Sequence, residues 1–182
     1  MASVFLYFFK KPFSLPTAPY SPNIYNLNIC LIITAGHIDF EDMNMDKSYS
    51  WLSAYARTKL ANILFTKELA RRLEGKNVNA YSLHPGMVRT DIDRHMDSGV
   101  FYGVRFAWHT ILGLLFFKTP QQGAETTIYC AVDEKLNNES GFYYVDCKRT
   151  TPNIKAEDME VAKKLWEVSW EMLKLGDYNP FN

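Results

Sequence analysis

Tyr55 and Lys59 stand four residues apart in the segment Tyr55-Ala56-Arg57-Thr58-Lys59. On a helix that spacing puts a phenol and an ammonium on one face, with Cβ atoms about 5–6 Å apart. A neighbouring cation favours the phenolate, so Lys59 is expected to draw the Tyr55 phenol below its reference value of about 10. A tyrosine tuned in that way can serve as a general acid or base near neutral pH. Oxidation of an alcohol needs such a group, because the hydroxyl proton must leave as hydride departs from the carbon. In that chemistry a nicotinamide ring takes the hydride.

Spacing alone does not single out this pair. With 11 tyrosines and 13 lysines in 182 residues, chance predicts about 0.8 Tyr-xxx-Lys pairs (11 × 13/182), and the chain holds three: Tyr7/Lys11, Tyr55/Lys59 and Tyr144/Lys148. A solvated Tyr–Lys pair is therefore the default. Tyr7 lies in an aromatic, proline-bounded tail. Tyr144 lies in an expected strand, where positions four apart are too distant to pair. Only Tyr55/Lys59 sits near the start of a long helix, followed by a strand that ends in Pro85-Gly86.

The elements that must position this pair are legible from periodicity. Ser50 is expected to cap a helix from Trp51 to about Glu74, with Gly75 just past its end. Leu52, Ala56, Leu60, Ile63, Leu64 and Leu69 give that helix an apolar stripe. Residues 77–83 read as a strand. Thr119-Pro120 opens a second helix to about Val132, with proline in its first turn. Residues 141–145 read as a short strand, and residues 157–175 as an amphipathic helix closed by Gly176. Its Trp166, Trp170 and Leu173 form the packed face. Upstream, four prolines among the first 22 residues break regular structure, and residues 28–34 read as one buried strand. Alternating strands and helices predict an α/β fold with a mostly parallel sheet.

Composition narrows the function classes. The hydrophobic fraction is 47% and the aromatic fraction 15%, which argues for a globular domain. Twenty basic and twenty acidic residues cancel, against the basic excess of a nucleic-acid binder. Cys30, Cys130 and Cys147 lie far apart with no CxxC pair, as expected of reduced thiols rather than a disulfide framework or zinc site. His37, His95 and His109 have no metal-binding spacing, and His84, beside Pro85, reads as structural. No apolar run is long enough to span a membrane. The run at residues 4–9 is followed, not preceded, by Lys10 and Lys11, unlike a secretory signal. The chain has no GxGxxG, GxxxGxG or Walker-type turn.

Several ordered blocks extend the pattern beyond Tyr55. They are Ala54-Tyr55-Ala56-Arg57-Thr58-Lys59-Leu60-Ala61-Asn62, Glu68-Leu69-Ala70-Arg71-Arg72-Leu73, His84-Pro85-Gly86-Met87-Val88-Arg89-Thr90, Thr119-Pro120-Gln121-Gln122-Gly123-Ala124 and Gly141-Phe142-Tyr143-Tyr144-Val145-Asp146-Cys147. Residues 36–175 thereby resemble the C-terminal part of the short-chain dehydrogenase/reductase family, most closely its retinol dehydrogenase branch. The resemblance implies the C-terminal portion of a Rossmann-like doubly wound parallel sheet, with the first βαβ unit absent. It implies Tyr55 as catalytic acid/base. Lys59 would tune Tyr55 and hold the nicotinamide ribose. Pro85, Gly86, Val88 and Thr90 would border the nicotinamide of NADP or NAD, with NADP slightly favoured. The implied substrate is a small lipophilic alcohol/carbonyl pair, retinol-like. Also implied are a candidate homodimer, contact with a membrane surface, and a place in the cytoplasm or on the cytosolic face of the endoplasmic reticulum membrane.

The chain also departs from the family pattern. The glycine-rich turn that would cradle a pyrophosphate on a helix N-terminus is missing. Extending the match upstream puts Cys30 where the family has its catalytic serine, and a thiol is a weak hydrogen-bond donor. Residues 1–35 thus read as an atypical, proline- and aromatic-rich segment, replacement sequence from an alternative exon or a mispredicted start. Residues 36–182 read as the catalytic part of the domain. The apolar run at residues 100–117 reads as a pocket lid, a membrane contact or plain core. Two functions follow: an NAD(P)-dependent oxidoreductase, or a catalytically inactive truncated isoform or fragment that acts as a binding or dimerisation partner through the helix carrying Tyr55.

Overall fold

A computed structural model describes residues 36–88 and 117–178, together with the backbone of the strand Asn23–Asn26. In chain order the elements are β1 (Asn23–Asn26), α1 (Trp51–Arg72), β2 (Val78–His84), α2 (Pro120–Val132), β3 (Tyr143–Val145), β4 (Lys148–Thr150) and α3 (Met159–Met172). Short 3-10 turns occupy Glu134–Leu136 and Ile154–Ala156. The strands form one sheet in the order β1-β2-β3-β4. β1, β2 and β3 run parallel, with Asn23 opposite Val78 and Ser82 opposite Tyr143. β4 is antiparallel to β3, so the sheet is mixed and, as expected, mostly parallel. The strand expected at residues 28–34 lies outside the described residues.

β2 is buried along nearly its whole length because both faces of the sheet are covered. Its side chains alternate. Val78 and Ala80 join the core formed with Leu60, Leu64, Leu69, Ala162, Leu165 and Trp166 of α1 and α3. Tyr81 and Leu83 join the opposite core, with Cys130 of α2, Leu136 and Tyr144. The order is therefore α1 and α3, sheet, α2, which is the layering of a doubly wound α/β domain.

The helix ends show which local signals operate. Ser50 has extended backbone, as an N-cap should, but its side chain makes no capping hydrogen bond. Gly75 and Asn77 both take positive φ, 77° and 54°, in the tight turn from α1 into β2. Thr119 and Gln122 form a reciprocal capping box at the start of α2, with Pro120 in its first turn. Asp158, whose side chain accepts from the amides of Glu160 and Val161, starts α3 two residues later than the spacing suggests. Leu52, expected in the apolar stripe of α1, is exposed along with Tyr49 and Trp51.

The C-terminal turn of α1 is tied to α3 by charge and stacking. Glu68 is fully buried and accepts from Arg71 Nε and Nη2, at 2.8 Å each, and from Arg72 Nε at 2.7 Å. Burial pushes its carboxyl up, but the Arg71 hydrogen bond and the Arg72 charge outweigh it and hold the group below its ordinary value. Arg72 in turn lies 4.6 Å from the ring centroid of Trp166.

Candidate active site

The site is built where α1 starts and β2 ends. α1 runs back against β2 through the turn at residues 73–77. From Tyr55 to Arg72 is about 26 Å at the rise of an α-helix, and from Val78 to Gly86 about 26 Å along an extended chain. Tyr55 and the Pro85-Gly86 turn therefore lie at the same level, beyond the C-terminal end of β2. Ligands of open α/β sheets bind at that edge.

On α1, Ala56, Arg57 and Leu60 are buried, whereas Tyr55 and Lys59 are half-buried. Lys59 Nζ lies 5.2 Å from the centroid of the Tyr55 ring, so the one-turn pairing expected from the spacing is present. The helix face beside them is braced from two sides. Arg57 Nη1 donates to the Asp42 carbonyl at 2.5 Å, pinning the preceding loop. At Gly36 a Cβ would stand 2.6 Å from the Ala56 carbonyl oxygen, so the chain crosses α1 at a distance only glycine allows.

Tyr7 lies outside the described residues, and two buried tyrosines of the sheet, Tyr144 and Tyr81, are unsuited to proton transfer. Tyr144 is buried and donates to Glu139, and burial together with that hydrogen bond pushes its phenol well up. Lys148, its partner by spacing, is exposed on β4. Tyr81 donates to the Leu136 carbonyl at 2.6 Å, and burial pushes it up to about 12.

Pro85, Gly86 and Val88 come together with residues that spacing did not single out. Gly86 has φ 87°, and a Cβ there would fall 2.9 Å from the Cδ and Cε of Lys118. Lys118 N donates to the Met87 carbonyl at 2.7 Å, and Val88 and Lys118 form an isolated parallel bridge. The Lys118 ammonium then pairs with Asp146 in the β3–β4 turn. Val88 presses its side chain onto Gly123 of α2, where a Cβ would stand 2.4 Å from Val88 Cγ2. Gly123 costs α2 about 1 kcal/mol relative to alanine. A glycine inside a helix is thus the one sequence signal that could have flagged this contact. Gly123→Ala is expected to overpack the turn and lower stability by about 1–3 kcal/mol, measured by urea unfolding. Unchanged stability would show that Val88 yields without cost.

His84 closes β2. It is 2% exposed, and its Nδ1 accepts from the Gly86 amide at 3.1 Å. Burial lowers its pKa below the ordinary 6.5; Asp146 opposes this and Lys118 reinforces it. Thr90, Cys30 and the apolar run at residues 100–116 lie outside the described residues.

A cleft of about 540 Å³, lined by Lys67, Gly75, Asn79, Asn137 and Ser140 among others, opens at the opposite end of β2. Its cations Lys67 and Arg71 are paired with Glu157 and Glu68, each at 2.8 Å, and neither Tyr55 nor Gly86 reaches the cleft. Among the described residues no group of three His, Cys, Asp or Glu could hold a metal ion, and no helix is long and apolar enough to cross a membrane.

A family model described as short chain dehydrogenase matches residues 42–100. Retinol dehydrogenase 14 of Mus musculus is 47% identical over 138 residues, covering 76% of this chain and 40% of the mouse protein. Retinol dehydrogenase 13 of Homo sapiens is 43% identical over 156 residues, covering 84% and 46%. The chain thus spans less than half the length of these curated relatives. The crystal structure of an uncharacterized protein from Mycobacterium paratuberculosis superposes with a TM-score of 0.53 at 26% identity, over 76% of this chain and 46% of that one. With the α/β layering and the ordered blocks around Tyr55 and Gly86, these similarities make the chain a member of the short-chain dehydrogenase/reductase family, on its retinol dehydrogenase-like branch.

Proposed function

We propose that this chain carries the proton-handling half of an NAD(P)-dependent oxidoreductase that interconverts a lipophilic, retinol-like alcohol and its aldehyde or ketone. The observation that carries the reading is the half-buried Tyr55/Lys59 pair, 5.2 Å from ring centroid to Nζ, on a helix whose length brings it to the level of the Pro85-Gly86 turn. Tyr55 Oη accepts the hydroxyl proton of the alcohol, or returns it to the carbonyl oxygen in the reverse direction. Lys59 favours the phenolate through its charge and donates to the ribose hydroxyls. Pro85, Gly86, Val88 and Thr90 border the nicotinamide, which supplies hydride acceptance or delivery when bound. The residues present fit that end of the dinucleotide: Gly86, at positive φ, adds no side chain of its own to the turn, and the Lys118 stem packed on it ends in an ammonium paired with Asp146. NADP is the preferred form by resemblance, and the membrane surface that holds lipophilic substrates is the expected setting.

A second reading is a non-catalytic role as a binding or dimerisation partner. It is favoured by one observation: no glycine-rich turn for the pyrophosphate occurs in the 182 residues. Fluorescence titration with NADPH and NADH separates the two. The enzyme reading expects saturable binding that weakens at least about tenfold in Lys59→Ala, since charge-assisted hydrogen bonds are the strong ones. Absence of binding at millimolar cofactor would reject it for this chain.

A further inference from the structure

We propose that His84 is a positioning residue: its neutral imidazole, accepting from the Gly86 amide, holds the Pro85-Gly86 turn in the shape that faces the nicotinamide. The turn itself is observed; its contact with nicotinamide rests on the oxidoreductase reading above. Three features of the structure converge on His84. First, the hydrogen bond spans two residues, from Gly86 N to His84 Nδ1 at 3.1 Å, with Pro85 between them. That is the geometry of an Asx turn, made here by an imidazole. Second, Gly86 sits at φ 87° with the Lys118 stem packed against it, so the turn has little room to relax. Third, among the described residues His84 Nε2 is buried without a hydrogen-bond partner.

These features dictate the tautomer. Nδ1 uses its lone pair toward the Gly86 N–H, so the ring proton of the neutral form resides on Nε2. Adding a second proton puts an N–H on Nδ1, facing the N–H of Gly86. Two donors cannot bond, so protonation breaks the link and frees the turn. The charged groups around the ring offer the imidazolium little support. Asp146, from the β3–β4 turn, is engaged by Lys118, which precedes α2. Lys118 itself adds positive charge beside the ring. The sign is fixed: the turn is closed when His84 is neutral and opens as pH falls.

Two readouts on the 182-residue chain test this, and they fail independently. The first needs no cofactor: hydrogen exchange and the 15N–1H resonance of Gly86 in wild type, His84→Asn and His84→Leu. Asparagine Oδ1 can accept from the same amide, so Gly86 should be protected in wild type and in H84N. Its exchange should be about fivefold or more faster in H84L, the scale of one lost hydrogen bond. Only in wild type should the Gly86 resonance move as pH falls below about 6.5, because burial holds the imidazole below its ordinary value. Equal exchange in all three proteins, or H84N behaving like H84L, overturns the proposal. If H84L does not fold, the wild-type titration against H84N decides alone, and a Gly86 resonance that moves equally in both overturns it.

The second readout is calorimetric affinity for NADP⁺ across the same pH range. The ratio of wild-type to H84N affinity should fall about fivefold on acidification, because titration of the cofactor itself is common to both proteins. A constant ratio, with binding intact, overturns the cofactor-positioning role. Absence of NADP⁺ binding together with the expected Gly86 pattern supports the His84 turn and overturns the oxidoreductase reading instead.

Discussion

Tyr55→Phe is expected to lower turnover of a lipophilic alcohol by about 10²- to 10⁴-fold, the usual contribution of a positioned acid/base. The substitution removes one oxygen and keeps the ring. The contact between that ring and Lys59 Nζ, at 5.2 Å, loses little. Cofactor affinity should therefore hold within about threefold, as expected when an interaction made only in the transition state is deleted. The measurement is the rate of NAD(P)H formation with retinol as substrate, beside a cofactor titration of the same variant. Turnover retained within threefold of wild type would remove Tyr55 from the chemistry. A joint loss of binding and turnover would instead give Tyr55 a structural role.

The second large effect lies away from the site, at the helix that supports it. Trp166 is 4% exposed and stacks between Phe65, at 5.1 Å and 13°, and Trp170, at 6.0 Å and 19°. The Arg72 guanidinium, held by buried Glu68, closes the ring from α1. Trp166→Ala removes the largest side chain between α1 and α3 and leaves a cavity that rigid neighbours fill only in part. The expected cost is about 3–5 kcal/mol, read from the urea midpoint and its slope. A loss under about 1 kcal/mol would mean that α3 is held by its aliphatic contacts, Ala162 and Leu165, rather than by the aromatic stack. α1 carries Tyr55 and Lys59, so the same variant should also weaken cofactor binding, whereas an exposed change such as Met172→Ala should not.

How far each element was legible depends on the range of the interaction that makes it. The start of α2 at Thr119-Pro120 is set within one turn and was readable, as was the left-handed Gly75 after α1, whereas the capping box with Gln122 came from the structure. β4 was not readable. Its turn places Asp146 and Cys147 at φ 51° and 57°, a conformation usually advertised by Asn-Gly. Here it is held by the Cys147 amide donating to Thr126 Oγ1 of α2, 21 residues earlier, at 3.3 Å. Leu52 fits the period of α1 yet is exposed, because periodicity marks a face and not what covers it. At the site, the grip of Lys118 on Gly86 and the seat of Val88 on Gly123 join segments about 30 residues apart, and apart from the glycine inside α2 no local pattern announces them.

Sequence by itself determined the α/β order, the helix that carries Tyr55 and Lys59, and the Pro85-Gly86 stop, since all of these follow from propensity, period and short-range caps. It also supplied the ordered blocks that mark the family. Tertiary structure alone decided that the start of α1 and the end of β2 share one edge, because two runs of about 26 Å fold back on each other through one tight turn. Only tertiary structure decided, too, between the two Tyr-xxx-Lys pairs among the described residues. Tyr144 is committed to Glu139 inside the core, whereas Tyr55 and Lys59 share a helix face at that edge.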